Sequence, residues 1–140
     1  MRLFLDSTVV LAACGRSKGS SRAIFDMASQ NAWTLLASPY VLNEVSKNLS
    51  KLGTQATIDW AVLLRKLVVA KDVWTLDRPV VFEPAKDRPV LFTATAWATV
   101  LLTHDIGDFG KLMETGFYHL TVMSPATFLT RERAARRLRQ

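Results

Sequence analysis

The sequence predicts an α/β fold, a three-layer α/β/α sandwich around a central, mainly parallel sheet, and three observations carry that prediction. Short apolar runs alternate along the chain with segments whose apolar residues recur at helical spacing. Several of those runs stop at Asp or Ser, residues that open helices by capping the first turn. A chain of 140 residues, 49% hydrophobic and 21% charged, has material for one core and no more, so a single domain over 1–140 is expected.

The elements follow in order. Arg2 to Leu5 is a buried strand, ended by Asp6-Ser7, and Thr8 to Cys14 is a short apolar helix. Gly15 and Gly19 bracket a loop, after which Ser20 or Ser21 caps a helix with Ile24, Phe25 and Ala28 on one face. Trp33 to Ala37 is a second strand. Ser38 then caps a helix with Pro39 in its first turn, running to about Leu52 with Val41, Leu42, Val45 and Leu49 as its stripe. Gly53 separates it from a helix over roughly Gln55 to Val69. Val73 to Leu76 and Val80 to Phe82 read as weak extended segments, split by Pro79. Asp87-Arg88-Pro89 opens a helix through Ala98, Val100 to Thr103 is a strand, and Asp105 to Gly110 is a turn-rich loop. Leu120 to Met123 is the last strand, and Ser124-Pro125 starts the last helix.

Composition narrows the function classes. The one cysteine, Cys14, excludes an internal disulfide framework and suits a reducing compartment. Arg2 precedes too short an apolar run for a signal peptide, and Arg65 and Lys66 break the longest apolar stretch, Ala61 to Ala70. A cytoplasmic protein with no membrane contact is expected. Of the net charge of +6, residues 131–140 hold five arginines against Glu132, or +4, so the basic charge gathers in a C-terminal helix end or tail.

Chemistry enters with the acids. In a parallel sheet, ligands bind beyond the carboxyl ends of the strands. Asp6 ends the first strand, Asp105 follows Thr103 at the end of a later one, and Asp108 lies in the next loop. Asp87 opens the helix leading to that later strand, and Glu44 sits one turn into the helix after strand two. Each alone has an ordinary explanation: Asp6 and Asp87 as caps, Glu44 as a solvated partner of Lys47, Asp105 and Asp108 as turn residues. Gathered at one sheet edge they would repel one another and some would stay protonated. A hard divalent cation resolves that conflict. With only His104 and His119 as histidines, the donor set is all oxygen, which favours Mg²⁺ or Mn²⁺ over zinc.

Residue by residue the pattern resembles the PIN-domain ribonucleases, and within them the VapC-like toxins of bacterial toxin–antitoxin pairs. The likeness begins in Leu3-Phe4-Leu5-Asp6-Ser7-Thr8 and continues in Pro39-Tyr40-Val41-Leu42-Asn43-Glu44-Val45. It is fullest in Lys86-Asp87-Arg88-Pro89-Val90-Leu91, with Ala94 and Ala96, then Leu101-Leu102-Thr103-His104-Asp105. Asp108-Phe109 and Val122 to Leu129 close it. The resemblance implies that Asp6, Glu44, Asp87 and Asp105 are the catalytic acids and that Asp6, Asp87 and Asp105 hold Mg²⁺ or Mn²⁺. It makes Asp108, Thr103 and Ser7 auxiliary, and it implies hydrolysis of RNA by an activated water, an antitoxin partner and a homodimer. His104 departs from the family, which often has glycine there; Trp97 is bulkier than usual, and residues 54–84 match least.

Arg16, Lys18 and Arg22, around the loop after the first helix, are candidates for RNA phosphates, although a charged, solvated loop is the commoner explanation of such residues. The tryptophans at 33, 60, 74 and 97 can stack on bases but more commonly fill cores. An aspartyl-phosphate phosphotransferase would want a second Asp where Thr8 stands. A receiver-type domain would want an acid pair after the first strand. The rival of a different class is a PIN-like module that binds RNA or protein without cutting.

Overall fold

A computed structural model describes residues 1–140. Five strands, β1 (Arg2–Leu5), β2 (Thr34–Ala37), β3 (Leu67–Val69), β4 (Val100–Leu102) and β5 (Thr121–Met123), form one sheet in the order β3-β2-β1-β4-β5, every pair parallel. The helices are α1 (Ser7–Gly15), α2 (Ser20–Met27), α3 (Pro39–Asn48), α4 (Thr54–Leu63), α5 (Arg88–Trp97), α6 (Ile106–Thr115) and α7 (Pro125–Ala134). Parallel neighbours need helical crossovers, and right-handed crossovers put α1 to α4 on one face and α5 and α6 on the other. The packing follows: α1 touches α2, α3 and α4, while α5 lies on β1 and β4. Phe4, Leu5, Leu101 and Leu102 are buried on both faces between these layers, as a parallel sheet requires. The expected α/β/α sandwich is therefore the fold, with a sheet that is wholly parallel.

Three expectations need correction. The helix foreseen from Gln55 to Val69 stops as α4 at Leu63, turns once through Leu64 to Lys66 and becomes β3. That strand hides because only Leu67 of its three residues is buried, so neither period is visible. The segments Val73 to Leu76 and Val80 to Phe82 join no sheet; they belong to an irregular connection that crosses from the β3 edge toward α5. Asp105 to Gly110 is not a loop but the start of α6: Asp105 Oδ1 accepts from the Asp108 N–H at 2.9 Å and Phe109 fills the core. Gly107 and Gly110 disguised it. Gly116 ends α6 at φ 72°, where an added Cβ would sit 3.1 Å from the Leu120 carbonyl, so a glycine is needed.

The direction in which strands are added across the sheet reverses between β1 and β4, since β2 and β3 lie to one side and β5 to the other. A crevice opens at the carboxyl ends of strands at such a switch point. Leu5 pairs with Leu102, so the residues that follow, Asp6 and Thr103, emerge side by side there. The basic tail lies at the other end of the sheet. After α7 it folds back, Arg137 reaching the buried Glu132 at 2.6 Å, while the Asn31 side-chain amide, just before β2, donates to the Arg139 carbonyl and accepts the Arg139 N–H, each at 2.7 Å.

Candidate active site

Asp6 is held from every side. Its Oδ1 accepts from the Ser7 N–H at 2.8 Å, so it caps α1, and its Oδ2 accepts from the Thr103 hydroxyl at 2.7 Å and the Thr8 hydroxyl at 3.0 Å. Burial raises its pKa, and those three donors work against that rise, with the charge of Asp105 adding to it. Thr103 acts on two acids at once: its hydroxyl also accepts the N–H of Asp105 at 3.0 Å. Thr8 in turn accepts the His104 N–H at 3.0 Å, tying the end of β1 to the end of β4.

Asp6 opens onto a cleft of about 190 Å³ whose walls include Ser7, Thr8, Tyr40, Glu44, Lys86, Asp87 and Asp105. All four acids expected to be catalytic therefore meet in one cavity. Glu44 takes no part in any of the chain's ion pairs, so the solvated pairing with Lys47 is absent. Asp105 is a cap as well as a wall residue. Asp87, by contrast, stands at the N-terminus of α5 and makes no side-chain cap bond.

The oxygens tell more than the count. Ligand oxygens of Asp87, Asp105 and Asp108 lie within 4.8 Å of one another. Asp87 Oδ2 and Asp108 Oδ2 are buried without a hydrogen-bond partner. Two carboxylates facing each other with no donor between them must share a proton or a cation. In the absence of a cation the proton resides on Asp87: burial, then its contact with Asp108, then the charge of Asp6 push its pKa up to about 8. Asp108 is correspondingly lowered, first by that same contact. Lys86, its Nζ 3.6 Å from Asp108 Oδ2 and its pKa raised by that charge, is the single cation at the cleft wall. The tight triad thus includes Asp108, expected as an auxiliary, while Asp6 lies deeper and is already hydrogen-bonded.

Four helices, α1, α3, α5 and α6, begin around this cleft, at Asp6, Ser38, Asp87 and Asp105. Their N-terminal dipoles favour anions, which offsets part of the repulsion among the acids and also suits a phosphate. The chemistry of the donor set fits a hard, oxygen-loving divalent cation.

Sequence reasoning passed over Thr8, Tyr40 and Lys86. The first was visible as a hydroxyl two residues beyond Asp6; the others have no signal until α3 and the connection before α5 are brought together. The nucleic-acid candidates sit apart from the acids. Arg16 and Lys18 are exposed at the far end of α1, about 13 Å along a helix of nine residues. Arg22 donates to the Ala13 carbonyl at 2.8 Å and to Asp59 at 2.6 Å, joining α2 to α4. Among the tryptophans, Trp33 is buried edge-on against Phe128, Trp60 packs on the core, Trp97 donates to the Lys71 carbonyl, and Trp74 is exposed.

No curated protein sequence matches this chain. Among solved structures, VapBC2 from Rickettsia felis, bound to a DNA fragment from their promoter, aligns with 87% of this chain and 97% of its own at 16% identity and TM-score 0.59. Mycobacterium tuberculosis VapC20, a sarcin-ricin loop cleaving toxin, aligns with 85% of this chain and 98% of its own at 18% identity and TM-score 0.47. At such identity the first likeness speaks for the fold. The family model described as PIN domain matches residues 2–107, a span that holds Asp6, Glu44, Asp87 and Asp105, and the chain belongs to the PIN-domain family.

Proposed function

We propose that the chain is a ribonuclease, the VapC-like toxin of a toxin–antitoxin pair, which hydrolyses RNA phosphodiester bonds internally with Mg²⁺ or Mn²⁺ in the acid cleft. The observation that carries this reading is the pair of buried oxygens on Asp87 and Asp108 that lack any hydrogen bond, only the second faced by an ammonium group (Lys86 Nζ at 3.6 Å), beside Asp105, in a member of the PIN-domain family. A structural acid cluster would have been given donors, as Asp6 was.

Asp87, Asp105 and Asp108 are the residues to hold the cation, with Asp6 the fourth acid behind them. Bound there, such an ion supplies an acidified water and a counter-charge for the phosphate. The chain does the rest. Thr103 and Thr8 fix the Asp6 carboxylate, and Thr103 also fixes the backbone of Asp105. Glu44, which lines the cleft from α3 and is free of ion pairs, is the acid we assign to take a proton from the attacking water. Lys86 and the starts of α1 and α5 offset negative charge on the phosphate, and the Ser7 hydroxyl lines the same wall.

The partners proposed are RNA, an antitoxin protein and a second copy of the chain. The apolar side chains Ile58 and Val62 on α4 and Val68 and Val69 on β3 are exposed and offer surface for protein partners. No helix is long and apolar enough to cross a membrane, and the proposed location is the cytoplasm. The test is incubation of the purified chain with mixed cellular RNA, with and without Mg²⁺ or Mn²⁺, beside Asp105→Asn. Cleavage that needs the ion and vanishes in the variant supports the reading. A folded, inhibitor-free protein that binds RNA and leaves it intact would establish a binding module instead.

A further inference from the structure

Trp74 is 59% exposed, on a connection without regular structure, yet its place is fixed. The Ala70 N–H donates to the Ala37 carbonyl at 2.7 Å, and the Asp72 carboxylate accepts the Tyr40 N–H at 3.2 Å. The Val73 N–H donates to the Thr93 hydroxyl at 2.8 Å, and the Trp97 indole to the Lys71 carbonyl at 2.9 Å. Residues 70–73 are thereby pinned to β2, α3 and α5. Trp74 follows at once and meets the Tyr40 ring edge-on, centroids 5.7 Å apart at 84°. Tyr40 is itself a wall of the acid cleft, beside Glu44 and Asp87, and its hydroxyl donates to the Lys86 carbonyl.

An indole left in water on a rigid support forgoes the burial that usually places tryptophan. The neighbouring cleft explains what it gains. Carboxylates outnumber Lys86 there, and the arginine tail lies at the opposite end of the sheet, so phosphate attraction within the cleft gives little hold on a nucleic acid. Stacking needs no charge, and every base has a face to stack.

We propose that Trp74, braced by Tyr40, is a stacking platform for a nucleobase of single-stranded RNA next to the phosphate presented to the acid cleft. The inference rests on the ribonuclease reading and adds to it a base-binding position that tolerates any sequence.

The test is steady-state cleavage of single-stranded RNA 12-mers of mixed sequence in Mn²⁺ by wild type, Trp74→Ala and Trp74→Phe. A parallel series carries one abasic nucleotide stepped along the strand. Loss of one base–aromatic stack is worth on the order of tenfold to hundredfold in affinity. Trp74→Ala is expected to raise KM by about that factor with kcat little changed, by the same factor at low and moderate salt, and Trp74→Phe to restore most of it. In wild type one abasic position should reproduce the loss, and on that strand wild type and Trp74→Ala should be equal. The abasic series on wild type decides the question even if a variant misfolds. Wild-type KM in Trp74→Ala, or an even response along the abasic series, overturns the platform and leaves the nuclease standing. A change of oligomeric state in Trp74→Ala with unchanged KM assigns the ring to an interface between copies and overturns it too. A folded wild type that neither binds nor cuts RNA removes the nuclease reading, and this inference with it.

Discussion

Replacing Asp87 by Asn should stabilise the metal-free protein at alkaline pH. Asp87 Oδ2 and Asp108 Oδ2 face each other without a donor, and Asp87 is held up to about 8. An Asn amide in that position donates a hydrogen bond to Asp108 and carries no charge. Between about pH 4 and pH 8 the folded chain keeps a proton that the unfolded chain, with ordinary carboxyl groups, has lost. Folding therefore takes up a proton, and wild-type stability falls as pH rises through that window. A shift from 3.8 to about 8 would at full value amount to about 5–6 kcal/mol. Asp87 is only partly buried, so solvent screens the repulsion, leaving about 1–3 kcal/mol, the usual cost of a buried unsatisfied acceptor. For a chain of 140 residues that is a gain of about 3–10 °C in Tm. The assay is thermal melting in EDTA at pH 5.5 and pH 9. The variant should exceed wild type at pH 9, and the gap should close at pH 5.5, where Asp87 is protonated. Excess Mn²⁺ should raise only wild type, by about 2.7 kcal/mol at a hundred times its dissociation constant. A variant less stable than wild type at pH 9, or equally shifted at both pH values, would refute the reasoning.

Other consequences follow from the same contacts. Thr103→Val keeps the shape but takes the hydroxyl from Asp6 and from the Asp105 N–H; kcat should fall about 10- to 100-fold, and denaturant melts should show a loss of about 1–3 kcal/mol. Arg137→Ala leaves the buried Glu132 without its partner and should cost about 1–3 kcal/mol in the same melts, while RNA cleavage by the remaining folded protein is unchanged, since the pair lies at the opposite end of the sheet. Cys14 is buried and its thiol is pushed up to about 11, chiefly by that burial. A thiol-reactive disulfide reagent at pH 8 should therefore label it only after unfolding. Full labelling of the native chain would contradict the placement of α1.

The strands β1, β2, β4 and β5 were legible because each is a short, mostly apolar run followed within three residues by a helix-capping residue, and Asp6 and Asp105 were legible as two of those caps. Asp87 was marked by the proline two residues on. Local signals fail where tertiary contacts decide. Leu67–Val69 pairs with β2 on one edge only and exposes two valines, so it carries no period of its own. Asp108 gained its place in the triad only once α6 was seen through its glycines. Tyr40, Lys86 and Trp74 meet because the chain crosses from the β3 edge back to α5, a path no short window of sequence contains. Arg22 looked free because its partner, Asp59, is 37 residues away.

The central claim, that the acids at the β1–β4 switch point are a cation site, is tested most directly by titrating the metal-free protein with Mn²⁺. Free Mn²⁺ would be followed by its electron paramagnetic resonance signal, for wild type and for Asp105→Asn at pH 7. The account predicts saturable uptake by wild type with release of the proton shared by Asp87 and Asp108, and loss of uptake in the variant. Uptake that is equal in both proteins, or absent from folded wild type, would contradict it.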